Sequence, residues 1–270
     1  MKFSILFVLA AATFAAAMKS RCSTQEPSAE FIAQNNAIMA SSAISLADFQ
    51  SQAILTVPVW FHVLRSGLSV SQGNIPDSAL QAQLSVMNAD YASAKIKFAL
   101  MGTTRTTDVT WYNDQAEMAM KKQLRKGDYG TLNVYFHRLA EGALGYCYFP
   151  VANPSAQELL LDGCSVLSST VPGGSYTNYN LGRTVTHEAG HWFGLYHTFQ
   201  GGCLGNGDWV NDTPAEAYPA TGCPVGRDTC PSPGKDPINN FMDYSYDSCM
   251  TEFTPGQGIR MNALFNSYRT

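Results

Sequence analysis

The chain has 270 residues, of which 45% are hydrophobic and 14% charged, with a formal net charge of −4. This length and composition suit one large folded domain, or two sub-domains around a cleft, and exclude a disordered chain. The acidic balance, with no charge blocks, excludes the basic face of a nucleic-acid binder.

In chain order, residues 1–17 read as a secretory signal peptide. Lys2 supplies a short basic region, Phe3 to Ala16 an almost unbroken apolar stretch, and Ala15 to Ala17 the small residues of a cleavage site. About 15 apolar residues are too few to span a bilayer comfortably, so a secreted, extracellular protein with no membrane partner is expected. Residues 18–53 are rich in Ala, Ser and Gln with no strong period; they read as a pro-segment or a loosely packed arm. Regular structure is expected from residue 54 onward.

Ile54 to Leu64 is β-branched and aromatic, which predicts a strand. Leu80, Leu84, Met87 and Tyr91 recur at helical spacing behind Pro76 and Asp77. Lys95 to Leu100 alternates as a short strand. Asp114, with Glu117 three residues on, predicts a capped helix running to about Lys126 and stopped by Gly127. Strands follow at Leu132 to Phe136 and Leu144 to Phe149, and a helix over roughly Leu181 to Phe193. The chain then becomes loop-rich until Thr254, Pro255 and Gln257, which predict the start of a closing helix. The order predicts an α+β domain over residues 54–270, with sub-domains of about 54–197 and 198–270 and the cleft at their join.

Seven cysteines are present. Behind a signal peptide, the six at 147, 164, 203, 223, 230 and 249 imply three disulfides formed in an oxidising compartment. Their spacing leaves the pairing open, and Cys22 is the odd one.

The segment from His187 to His197 carries the chemistry. His187 and His191 lie four apart, so a helix presents both imidazoles on one face to a single ion. Glu188 projects beside them, placed to polarise water instead of ligating. A helix cannot bring a residue ten positions from His187 to the same ion. Gly194 can adopt the left-handed conformation that ends the helix and turns the chain, allowing His197 to complete a three-histidine site with an open fourth position. Chance gives the short motif in well under about 1% of such chains, and the full pattern in roughly a few per million, which removes accident as an explanation. His62 and His137 sit in or beside predicted strands and read as structural.

These residues reproduce the HExxHxxGxxH signature of the metzincin metallopeptidases. More narrowly, the chain resembles the pappalysin family, and within it the small secreted metalloproteases of fungi. The stretches Thr184 to Thr198, Asp212 to Ala215, Asn240 to Ser245 and Phe253 to Gln257 carry the likeness, which covers most of residues 55–270. The resemblance implies a metzincin-like zincin fold whose disulfide-stapled C-terminal sub-domain ends in a helix. The activity it implies is that of a zinc endopeptidase with one Zn2+ per chain, acting as a monomer on protein or peptide substrates.

The same resemblance implies Met242 as the Met-turn residue beneath the histidines and Tyr244 as donor to the tetrahedral intermediate. It makes Leu144 to Phe149 the substrate-binding rim. It implies the disulfides Cys203–Cys230 and Cys223–Cys249, leaving Cys147–Cys164. Asp208, Asp212 and Thr213 become candidates for a structural Ca2+ as in some relatives, against the plainer reading of solvated loop acids. Asn211 opens a glycosylation sequon weakened by Pro214. Some relatives are kept latent by a pro-segment cysteine, which makes Cys22 a possible latency ligand beside the plainer reading of a solvated or externally paired thiol. Relatives preferring a basic side chain after the scissile bond carry an acid immediately before the cysteine matching Cys249. Here that position is Ser248, with Asp247 one earlier, so broad cleavage without strong basic preference is expected. The rival function is a catalytically silent secreted zinc-binding effector, whose mark would be loss of Glu188.

Overall fold

The computed structural model describes residues 21–42, 44–140 and 142–270. The expected signal peptide lies outside the described residues. No helix among them is long and apolar enough to cross a membrane.

The arm preceding the sheet folds into two helices, α1 (Ala29–Ser41) and α2 (Leu46–Ser51), each opened by a serine N-cap, Ser28 and Ser45. Neither is loosely packed. Phe31 packs among Phe149, Tyr196 and Tyr268, and Phe49 is fully enclosed. The buried amide of Asn35 donates to the Tyr196 hydroxyl at 2.9 Å and accepts from that of Tyr268 at 2.8 Å. The sequence hides this docking because the arm's apolar residues follow no strong period and their partners lie far along the chain.

Strand β1 (Leu55–Arg65) is followed by α3 (Asp77–Asp90) and β2 (Ile96–Thr107). Two short helices, α4 (Val109–Tyr112) and α5 (Glu117–Leu124), lead to β3 (Leu132–His137). Strand β4 (Gly145–Cys147), α6 (Ala156–Leu161) and β5 (Cys164–Leu167) complete a five-stranded sheet in the order β2-β1-β3-β5-β4. All neighbouring pairs are parallel except β4 with β5, so β4 is an antiparallel edge strand. On one face, Val57, Val59, Phe61 and Val63 of β1 pack into the main core with Met87, Tyr91 and two further helices, α7 (Arg183–Trp192) and α8 (Pro255–Tyr268). On the other, Met120 and Leu124 of α5 cover Leu64 and Tyr135.

One expected cap does not form. Asp114 and Ala116 both adopt left-handed backbone, with φ of 60° and 59°, so α5 starts at Glu117 behind an uncapped Ala116. Asp114 instead accepts from the Ala140 amide at 3.2 Å and faces His137. The cap that does form is Asp108 on the Trp111 amide, opening α4. The cap of α8 has both reciprocal bonds, Thr254 to the Gln257 amide and Gln257 back to that of Thr254, with Pro255 in the first turn. Between α7 and α8 the chain is irregular. It is held by the disulfides Cys203–Cys230 and Cys223–Cys249, while Cys147–Cys164 ties β4 to β5.

Candidate metal centre

Helix α7 lies against the core and carries His187, Glu188 and His191 without solvent exposure beyond 1%. Its end is closed by Gly194, at φ +94°, whose amide donates to the His191 carbonyl while the Leu195 amide donates to that of Gly190. This pair of bonds around a left-handed glycine turns the chain back toward the helix face and brings in His197.

The three imidazoles converge. His191 Nε2 lies 3.2 Å from His187 Nε2 and 3.1 Å from His197 Nε2. The far nitrogens of two rings meet backbone carbonyls, His187 Nδ1 at 2.7 Å from Phe241 O and His191 Nδ1 at 2.8 Å from Leu195 O. A carbonyl can only accept, so each Nδ1 carries the proton and each Nε2 turns a lone pair inward. Burial pushes His191 down to about 4 and the other two rings well below the usual histidine range, so they are neutral donors. Lone pairs packed this closely repel one another unless a cation lies between them.

A fourth donor comes from the arm. The Cys22 sulfur and one nitrogen of each histidine all lie within 4.8 Å of one another, the one such grouping among the described residues. Cys22 Sγ also donates to Glu188 Oε2 at 3.3 Å, as does Thr24 Oγ1 at 3.2 Å, while Glu188 Oε1 has no hydrogen-bond partner. Burial raises the Glu188 carboxyl to about 8, against the bonds from Cys22 and Thr24. Burial, then the charge of Glu188, pushes the Cys22 thiol well up. Three neutral imidazoles and a thiol form a donor set suited to zinc, with the Glu188 carboxyl beside it.

Met242 lies beneath α7 with no exposure. A Cβ on Gly190 would clash with its sulfur, so this close approach requires glycine. The turn is held by Asn240, whose Oδ1 accepts from the Met242 amide at 3.0 Å and whose side-chain amide pairs reciprocally with Gln257 of α8. Tyr244 Oη sits 3.3 Å from both His197 Nε2 and the Cys22 carbonyl.

At Cys22 the arm meets β4 through an isolated parallel bridge to Gly145. The Leu144 amide donates to Arg21 O and the Ser23 amide to Gly145 O, at 2.8 and 2.9 Å. Arg21 is 5% exposed and fills a pocket beside the histidines. Its guanidinium donates to Ser245 O at 2.6 Å, pairs with Asp247 at 3.2 Å and lies over the Tyr179 ring. Sequence reasoning missed Arg21 and Thr24, although both flank the singled-out Cys22. Of the loop acids, Asp212 commits both oxygens to the start of α8, accepting from Thr254 Oγ1 and the Gly256 amide at 2.8 Å. Asp208 is buried, accepts from the Val210 amide, and is raised by burial to about 7.

The model of the peptidase M43 family, described as pregnancy-associated plasma protein-A, matches residues 117–266. The chain is 54% identical to an extracellular metalloprotease of Colletotrichum graminicola, over 99% of this chain and 98% of that one. It is 50% identical to another of Pyricularia oryzae, over 98% and 96%. Among solved structures it is similar to mirolysin in complex with a compound, at 29% identity and TM-score 0.68, covering 80% of this chain and 93% of that one. Similarity to a mutant of promirolysin from Tannerella forsythia covers 92% and 94%, at 26% identity and TM-score 0.73.

Proposed function

The chain belongs to the M43 peptidase family and is a secreted zinc-dependent endopeptidase, and from this premise we propose how its residues divide the work. His187, His191 and His197 hold one zinc ion per chain. The convergence of their Nε2 atoms, with two rings oriented by backbone carbonyls, carries this reading. When bound, zinc supplies a Lewis acid that acidifies water and polarises a carbonyl.

Glu188 is the general base. It takes the proton of the water that attacks the scissile carbonyl and passes it to the amide nitrogen as the C–N bond breaks. Its buried carboxyl, with a raised proton affinity, suits a group that must hold a proton between those events. Tyr244 donates its phenol hydrogen to the oxygen that becomes negative, from a hydroxyl already at the edge of the histidine cluster. Met242 packs beneath the site without ligating. The β4 edge, which pairs with the arm, pairs with an extended substrate once the arm is gone. Asp208, Asp212 and Thr213 are the candidates for a structural Ca2+, with Asp212 also accepting from Thr254 Oγ1 and the Gly256 amide.

Residues 18–53 are the pro-segment and Cys22 is its latency ligand, supplying a fourth zinc donor where water would bind. The wider match to promirolysin than to mirolysin, 92% against 80% of this chain, supports this division from residues 54–270. Ser248 favours broad cleavage; the pairing of Asp247 with the Arg21 guanidinium instead supports a pocket that takes a basic substrate side chain beside the scissile bond.

Glu188→Gln tests the reading. It should leave zinc content and folding intact and lower casein hydrolysis by several orders of magnitude, whereas His197→Ala should lose both zinc and activity. Near-normal turnover by the first, or stoichiometric zinc in the second at low free metal, would overturn it.

A further inference from the structure

An α-helix leaves its last four carbonyls without intrahelical donors, and α7 must satisfy them in the core. The turn at Gly194 accounts for three: Ala189 O accepts from the Phe193 amide, Gly190 O from Leu195 and His191 O from Gly194. The fourth, Trp192 O, accepts from the guanidinium of Arg269, from Nε at 3.1 Å and Nη2 at 3.0 Å. Two residues on, Gly194 O accepts from Arg260 Nε at 3.1 Å. Both arginines belong to the last helix: Arg260 lies within α8 and Arg269 is its C-cap residue.

Both are buried; Arg269 is fixed from several sides, whereas Arg260 is held through Nε and the Tyr196 ring, with Nη1 and Nη2 lacking hydrogen-bond partners. Arg269 pairs through two nitrogens with Asp162, at 3.0 and 3.1 Å, and stacks 3.7 Å from the centre of the Trp192 ring. Asp162 also accepts from Trp192 Nε1 at 3.1 Å, so cation, carboxylate and indole close a ring of contacts around the end of α7. Arg260 lies over Tyr196, the residue before the third histidine. Two positive charges thus sit at the negative end of the helix dipole.

The pinned stretch lies between two ligands. It begins one residue after His191 and ends one residue before Leu195, whose carbonyl orients the His191 ring. We propose that Arg269 and Arg260 are positioning residues for the metal centre, fixing the turn that sets the His191 ring and the approach of His197. The inference rests on the zinc reading above. Loss of such an outlying partner of a metal site lowers affinity by roughly 10–100-fold.

The experiment uses the full chain loaded with zinc, with release to a chromophoric chelator as readout and the d–d spectrum of the cobalt-substituted protein as a second. Leu64→Ala, on β1 but in the separate cluster that α5 covers on the other face of the sheet, serves as a control for general destabilisation. Parent protein that holds no zinc would defeat the zinc reading itself. Given a zinc-binding parent, Arg269→Ala and Arg260→Ala should each release zinc about 10–100-fold faster at a temperature where both variants remain folded, and should shift the cobalt bands. Arg269→Lys, which keeps the charge but not the fork, should fall between, and it decides the matter if the alanine variant does not fold. Release rates and cobalt spectra in the folded arginine variants indistinguishable from those of parent and Leu64→Ala would overturn the proposal.

Discussion

Arg21 and Asp247 stand 226 positions apart in the chain and 3.2 Å apart in the fold, both almost wholly buried. The residue preceding Cys22 thus occupies an acidic pocket beside the histidine cluster. The arm holds the site at two adjacent points, a side-chain pocket and the metal centre.

The pocket predicts the cleavage pattern. With the arm removed, a peptide-library digest should be enriched in Arg or Lys beside the scissile bond. Asp247→Asn should reduce that preference by about 10–100-fold, the loss of one charge-assisted bond worth roughly 1.5–3 kcal/mol. The same variant should lower stability as well, since Asp247 also accepts from the Leu181 and Arg183 amides at the start of α7. A parent digest with no basic enrichment would return the specificity to the broad pattern that Ser248 suggests.

Latency should depend on Cys22 more than on the arm as a whole. Full-length protein should be inactive at the earliest time point, while Cys22→Ala and a form starting near Ile54 should be active. Because Arg21 and α1 still dock, the Cys22→Ala variant should remain below the truncated form. Equal activity in all three would remove Cys22 from regulation.

Activation should require a second protease. Between Cys22 and Arg65 the chain contains no Lys or Arg, so an enzyme selecting basic side chains finds no suitable bond there. Zymogen incubated alone, or with a trace of its own active form, should stay latent. A protease cutting at apolar residues of the arm should release activity. Rapid self-activation with a new N-terminus between residues 23 and 54 would contradict both this and the basic preference.

His137 offers a test through pH. Both its ring nitrogens are buried without hydrogen-bond partners, and burial, then the charge of Lys121, lowers it to about 4. Its folded value lies below the unfolded one near 6.5, so between these limits the unfolded chain binds more protons. The stability tied to His137 is therefore present at neutral pH and is lost as pH falls from about 6.5 toward 4. His137→Phe should flatten the thermal midpoint's dependence on pH across that window. At pH 7 it should be neutral or stabilising, by up to about 1–3 kcal/mol, as an unsatisfied polar group is replaced. An unchanged slope would mean that another group dominates acid destabilisation there.

What the sequence determines by itself is what acts over a few residues. The spacing of His187 and His191, the turn at Gly194 and the Thr254–Gln257 cap are all local, and all three are formed. The Asp114 cap shows the limit of such reasoning: the pattern is present, but contacts with Ala140 and His137 draw the residue into a left-handed conformation. Only the tertiary structure decides which distant groups share a pocket. Asp247 rather than Ser248 meets a guanidinium, the arm's helix finds its aromatic bed, and Arg269 reaches the last open carbonyl of α7. Those pairings come from long-range packing, where a buried charge or carbonyl without a partner is costly, and no short-range pattern records which partner it finds.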